Sequence, residues 1–142
     1  MNNDTKQNTS GEKILEKYEE KRVYPRIVID RPIAMVLSNG QALEALAHDI
    51  SPGGIQVRCN LKAAQILKTE KENLGKKAAL DFEVNFILPL EDKQVKVLIR
   101  CKPSYLVKLE DDAYAMGLQF TKVGEDSRKI LKRFIEVSME PG

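Results

Sequence analysis

Apolar residues recur at every second position through most of this chain, and that period leaves few folds open. Leu80, Phe82, Val84, Phe86 and Leu88 alternate with Asp81, Glu83 and Asn85, the pattern of a strand with one face buried, and Pro89 is expected to end it. Ile33, Met35 and Leu37 share one face of residues 31–38. Asn39-Gly40 follows, the strongest short hairpin signal, and returns the chain through residues 41–50. Residues 54–59 set Ile55, Val57 and Cys59 against Gln56 and Arg58; Val95, Val97, Ile99 and Cys101 set themselves against Lys96 and Arg100. Tyr114, Met116, Leu118 and Phe120 repeat the alternation around Gly117, with Asp111-Asp112 as the preceding turn and a bend expected at Pro103.

Two segments break the period. Leu61, Ala64, Ile66 and Leu67 do not alternate, and Gly75 stands where a helix would stop; residues 61–75 are read as a short helical insertion. In residues 125–139, Ile130, Leu131, Phe134 and Ile135 form an apolar stripe at helical spacing, with Glu125 and Asp126 near the positive end of the dipole. About six strands joined by tight connections, without β-α-β alternation, exclude a parallel sheet. The expected fold is mainly β: a six-stranded antiparallel β-barrel with a C-terminal α-helix packed on it or plugging it.

Length and charge narrow the function. The 142 residues fit one domain, and 42% hydrophobic with 31% charged residues suffices for a core. Lys+Arg 23 against Asp+Glu 21 gives a net charge of +2, too balanced for a general polyanion binder, so an anion site must be local. Two distant cysteines, Cys59 and Cys101, and a polar N-terminus without a secretory signal fit a reducing, cytoplasmic setting. No apolar run approaches the roughly 18 residues of a membrane span. One His and two Cys lack the ligand spacing of a zinc site, so neither a metal nor a cofactor is expected.

The N-terminus reads as a leader. Residues 1–11 hold almost nothing to bury. Residues 12–21 place Ile14, Leu15 and Tyr18 at helical spacing, yet Glu12, Glu16 and Glu20 repeat at i+4, as do Lys13, Lys17 and Lys21. Like charges at that spacing repel, so the helix should be marginal unless its apolar edge docks. Residues 1–20 are therefore expected to be a flexible tail and residues 21–142 the folded domain.

Two clusters carry chemistry. In Lys21-Arg22-Val23-Tyr24-Pro25-Arg26, two guanidinium groups lie four positions apart in a segment that Pro25 keeps out of regular helix. Guanidinium forks suit phosphate oxygens or the O6/N7 edge of guanine; taken by itself such a run is usually a solvated basic elbow. The second cluster, Asp49-Ile50-Ser51-Pro52-Gly53-Gly54, is a ready turn, with Gly53-Gly54 able to take positive φ. The same atoms suit a ligand: the carboxylate accepts from a guanine N1–H and N2–H₂ edge, Ser51 donates to phosphate, and glycine lets backbone N–H groups approach an anion.

RxxxR at Arg22 and Arg26, followed by DxSxxG at Asp49, Ser51 and Gly54, resembles the paired signature of the PilZ domain, the bacterial receptor module for cyclic di-GMP. The resemblance extends from about Lys21 to Val137, through Met116-Gly117-Leu118-Gln119-Phe120 and the closing helix. It implies a six-stranded barrel whose arginine segment folds over a cyclic dinucleotide held against the Asp-Ser-Gly turn. By carry-over, Arg22 and Arg26 grip phosphates and guanine Hoogsteen edges, Asp49 and Ser51 contact guanine and phosphate, and Gly53 and Gly54 keep the turn open. Lys21 takes the position associated with binding one ligand or a stacked pair. Residues 61–75 look longer than the family's usual connection and offer a surface for a partner.

The function so implied is a non-enzymatic cyclic di-GMP sensor. Binding would reorder the N-terminal segment and so alter contact with a separate protein, of the motility, adhesion or polysaccharide machinery usual for the family. An alternative is a PilZ-like module that binds only protein. A single-stranded nucleic-acid barrel is disfavoured by balanced charge and 6% aromatic content without Trp. No catalytic residues are assigned: His48 adjoins Asp49 but has no nucleophile in a recognisable pattern. Phe82, Phe86, Tyr114 and Phe120 read as core, and both cysteines as small inward hydrophobes.

Overall fold

The structure, a computed structural model, describes residues 26–75 and 80–139. Six strands, β1 (Ile27–Val36), β2 (Ala42–Ser51), β3 (Gly54–Cys59), β4 (Phe82–Leu90), β5 (Lys93–Glu110) and β6 (Ala113–Val123), are joined by helix α1 (Leu61–Leu74) and followed by α2 (Glu125–Met139). All pairings are antiparallel and close a ring in the order β1-β2-β3-β6-β5-β4. The six-stranded barrel, the helical insertion and the C-terminal helix are those expected from the hydrophobic periods. The tail and helix expected over residues 1–20, and the site residues Lys21 and Arg22, lie outside the described residues.

The alternation becomes the core. Met35, Val57, Phe82, Val84, Leu88, Val97 and Cys101 are fully enclosed, with Phe86, Met116 and Leu118 beside them; Tyr114 and Phe120 are half-buried against that cluster. Removing this apolar surface from water is the main driving force for closing the ring. Helix α2 lays Leu131, Phe134 and Ile135 on the β4 and β5 side, and its buried Ser127 accepts a hydrogen bond from the Leu98 N–H at 3.1 Å. Helix α1 starts at Asn60, whose Oδ1 accepts from the Ala63 N–H at 2.9 Å and caps one of the open donors of the first turn. It ends at Gly75 with φ 72°, a conformation glycine adopts without steric cost.

Four local expectations are corrected. β1 begins at Ile27 rather than Arg31, because Ile27 and Val28 pair with Ile50 and Asp49 before a bulge that leaves Asp30 at φ 44°. Pro89 does not end β4: Pro89 and Leu90 pair with Gln94 and Lys93, leaving Glu91-Asp92 as a two-residue turn with φ 50° and 67°. A proline survives there because its side of the ladder carries only the β5 pairing. β5 is one long strand through Pro103, with register shifts at Arg100/Cys101, Pro103/Tyr105 and Lys108/Glu110 absorbing the proline and the barrel's curvature. Gly53 and Gly54 do not take positive φ; in the described chain only Gly40 and Gly75 do so among the glycines.

Candidate functional site

Strand register builds the site. Ile27 faces Ile50 across the β1–β2 ladder, so Arg26 arrives beside Ser51. On the other edge of β2, Ala47 faces Val57 and Ile50 faces Ile55. An extra residue on β2 between them, at His48, is a bulge, and it shifts the alternation so that Ile50 enters the core and Asp49 leaves the inward row, although it stays buried. Without that shift the carboxylate of Asp49 would take an inward position among apolar side chains, out of reach of Arg26. The bulge is clamped by His48, whose Nδ1 lies 2.8 Å from Oδ1 of Asp30 at the matching irregularity of β1.

At this mouth of the ring, Nε of Arg26 stands 3.5 Å from Oδ1 of Asp49, and its Nη1 is 3.5 Å from Oγ of Ser51. Charged N–H···O bonds close to about 2.7–2.9 Å when fully engaged, so the guanidinium is near both groups and committed to neither. Asp49 is 8% exposed, and its Oδ1 is buried without a hydrogen-bond partner among the described residues. Buried carboxylate oxygens are otherwise satisfied almost everywhere in folded proteins. Ser51 is also buried and donates weakly to the Gly54 carbonyl at 3.3 Å.

The glycines act through space rather than through φ. A Cβ on Gly54 would run into the Leu118 carbonyl of β6, whereas one on Gly53 would meet nothing within 4 Å. Gly54 thus lets β3 and β6 close tightly under the turn, and the Gly53 carbonyl accepts from the Phe120 N–H at 3.0 Å to hold the turn against β6. The predicted residues Arg26, Asp49, Ser51, Gly53 and Gly54 come together here.

A cleft of about 270 Å³ opens beside them, lined by Arg26, Ser51, Gly53 and Gly54 and, from β5 and β6, by Ser104, Tyr105 and Gln119. The contribution of β5 and β6 to this cleft is not legible in the sequence. Tyr105 follows the expected bend at Pro103, and only the pairing of Tyr105 with Gly117 carries it toward the turn. Among the described residues no group of three or more His, Cys, Asp or Glu side chains is arranged to hold a metal ion, and no helix is long and apolar enough to cross a membrane.

A closed ring of six antiparallel strands, with an arginine, a buried carboxylate and a glycine turn at one mouth, defines a class of small β-barrel domains. The chain belongs to the PilZ family: the model of the PilZ domain matches residues 20–137. Among solved structures, it is similar in fold to the Bacillus subtilis inhibitor of motility MotI/DgrA, with TM-score 0.57, 14% identity, and coverage of 83% of this chain and 52% of that one. It is also similar to Borreliella burgdorferi PlzA in complex with c-di-GMP, with TM-score 0.58, 10% identity, and 91% and 57% coverage. A third is K. pneumonia MrkH in its apo state, with TM-score 0.51, 15% identity, and 94% and 55% coverage. The chain spans about half the length of these structures. No curated protein matches it.

Proposed function

We propose that this domain is a cyclic di-GMP receptor whose N-terminal arginine segment closes over the nucleotide. The observation that carries the reading is the buried Oδ1 of Asp49, without a hydrogen-bond partner among the described residues, beside a loosely held Arg26. A doubly charged nucleotide with guanine bases supplies what each group lacks. The guanine N1–H and N2–H₂ edge donates to the carboxylate, and phosphate oxygens or the Hoogsteen edge accept from the guanidinium. Ser51 donates to phosphate, Gly53 and Gly54 leave the approach open, and Arg22 adds the second guanidinium of the RxxxR pair. Lys21 sets whether one ligand or a stacked pair is held. Membership of the PilZ family and a barrel like that of the PlzA complex with c-di-GMP support the reading.

Residues 21–142 form the receptor domain in this reading, and residues 1–20 its leader. Ordering the leader on binding changes the surface offered to a separate protein, and that change is the signal. The receptor needs no catalysis of its own. Calorimetric titration with cyclic di-GMP tests the proposal. Wild-type protein should bind, and Arg22→Ala, Arg26→Ala or Asp49→Ala should each weaken binding about 10-fold or more, from loss of charged hydrogen bonds of roughly 1.5–3 kcal/mol. A wild-type protein that gives no binding heat at any temperature or salt tried, and no resonance shifts, would reject it in favour of a PilZ-like module that binds protein alone.

A further inference from the structure

The β5 lining of the cleft holds an aromatic ring in an unusually determined position. Three ring atoms of Tyr105, Cδ2, Cε2 and Cζ, lie over the place where a Cβ on Gly117 would project. The ring therefore rests face-down on the β6 backbone, in a seat that only glycine provides. Its hydroxyl accepts a hydrogen bond from Nε2 of Gln56 at 2.9 Å, and Oε1 of Gln56 accepts from Nε of Arg58 at 3.0 Å. That second bond fixes which end of the amide points at the tyrosine. Next to it, Oγ of Ser104 donates to the Gly117 carbonyl at 3.1 Å, pinning the strand that carries the ring.

Despite these restraints Tyr105 remains 41% exposed, lining the same cleft as Arg26, Ser51 and the Gly53-Gly54 turn. A core aromatic would be covered; an aromatic over a cross-strand glycine also stabilises a sheet, but stabilisation alone does not call for a place in the cleft of Arg26 and Ser51 and a two-link hydrogen-bond chain on the hydroxyl. A held π face lining the same cleft as the Arg26 guanidinium and the Ser51 hydroxyl is the arrangement that takes a planar base by stacking. Because the Gln56 amide already donates to the phenol oxygen, the phenol proton is free to donate to a base or phosphate acceptor.

We infer that Tyr105 is a base-binding platform of this cleft, stacking one purine ring of the ligand while Arg26, Asp49 and Ser51 hold its polar edges. The inference rests on the nucleotide reading above. It adds a residue outside both sequence motifs, and makes Gly117 and Gln56 positioning residues that act through the tyrosine.

The test is cyclic di-GMP titration of the full chain, by calorimetry and by NMR of the tyrosine ring protons. Wild-type protein should bind with upfield ring-current shifts of the Tyr105 ring. Tyr105→Leu, which keeps apolar bulk but has no π face, should bind about 10-fold more weakly. Tyr105→Phe should stay within about threefold of wild type, since stacking survives and one neutral hydrogen bond is lost. Wild-type binding with unshifted Tyr105 protons, or equal binding by Tyr105→Leu, overturns the inference while leaving the receptor reading intact. Absence of wild-type binding overturns both. The ring-proton measurement needs no variant, so a folding defect in Tyr105→Leu cannot mask the answer.

Discussion

Gly54 and the carbonyl of Leu118 approach so closely that a Cβ on the glycine would overlap the oxygen. Both atoms belong to backbone in the β3–β6 ladder, where Gly54 pairs with Gln119 and Ile55 with Leu118, so neither can swing aside as a long side chain would. Gly53, one residue earlier, has open space where its Cβ would go and an ordinary φ. Gly54→Ala should therefore destabilise the fold by about 1–3 kcal/mol, the range for overpacked sites, and Gly53→Ala should change it by less than about 0.5 kcal/mol. Urea denaturation of the two single variants decides it; equal losses would show that the turn's conformation, not the ladder's closeness, demands glycine.

The Arg26–Asp49 pair predicts a separation of stability from binding. With Oδ1 of Asp49 lacking a hydrogen-bond partner among the described residues and Arg26 half-exposed at 3.5 Å, folding gains little from this ion pair and bears the desolvation of a carboxylate. Asp49→Asn is expected to leave the denaturation midpoint unchanged or raise it, while weakening cyclic di-GMP binding about 10-fold or more, because the amide cannot accept from both guanine N–H groups as a carboxylate does. Residues kept for ligands rather than for folding commonly show this trade. A variant that loses stability and retains affinity would assign Asp49 to the scaffold.

The Glu91-Asp92 turn carries a stabilising opportunity. Both residues have positive φ, 50° and 67°, between paired Leu90 and Lys93, which is the geometry of a type I′ hairpin that Asn-Gly fits best. Replacing Asp92 by Gly removes strain at the second position and should stabilise the protein by about 0.5–1 kcal/mol. Glu91 should be left in place, because its Oε2 accepts from Nη2 of Arg133 on α2 at 2.8 Å. A thermal melt of Asp92→Gly that moves downward would show that the aspartate makes a compensating contact.

Legibility in the sequence followed the range of the interactions. Period-two alternation reveals strands because each residue answers to its own face, so Phe82 to Leu88 and Ile55 to Cys59 were readable singly. The helix over Leu61–Leu74 was readable from its broken period and its terminal glycine. Turn chemistry was less faithful. Asn39-Gly40 does turn β1 into β2, but in a wider loop closed by Gly40 N–H to the Leu37 carbonyl and Leu37 N–H to the Gln41 carbonyl, while the tighter two-residue turn fell on Glu91-Asp92, where the pairing of Pro89 with Gln94 imposes it. The Arg26, Asp49 and Ser51 side of the cleft was legible because it is written in two short motifs. Tyr105 was not, because its place depends on register 12 residues away at Gly117, and local patterns do not specify which residues of two strands face one another.

Cys101 gives the last prediction, on pH. Its thiol is fully enclosed in the barrel, and burial, reinforced by the nearby Asp81 carboxylate and only partly opposed by Arg100, pushes its pKa up from 9.0 to about 12. Burial pushes the Cys59 thiol up as well. For an acid whose neutral form is favoured in the folded state, the unfolded chain ionises first: between about pH 9 and pH 12 the folded protein holds a proton that the unfolded one has released. Stability therefore carries no contribution from this group's titration below pH 9 and falls as pH rises from 9 toward 12. Cys101→Ala should flatten that alkaline fall, measured by urea denaturation at successive pH values, although it lowers the stability at neutral pH by leaving space in the core. In native protein at pH 8, both thiols should resist alkylation by iodoacetamide and become reactive only on addition of denaturant. Rapid labelling of Cys101 without denaturant would show that the barrel opens locally at β5.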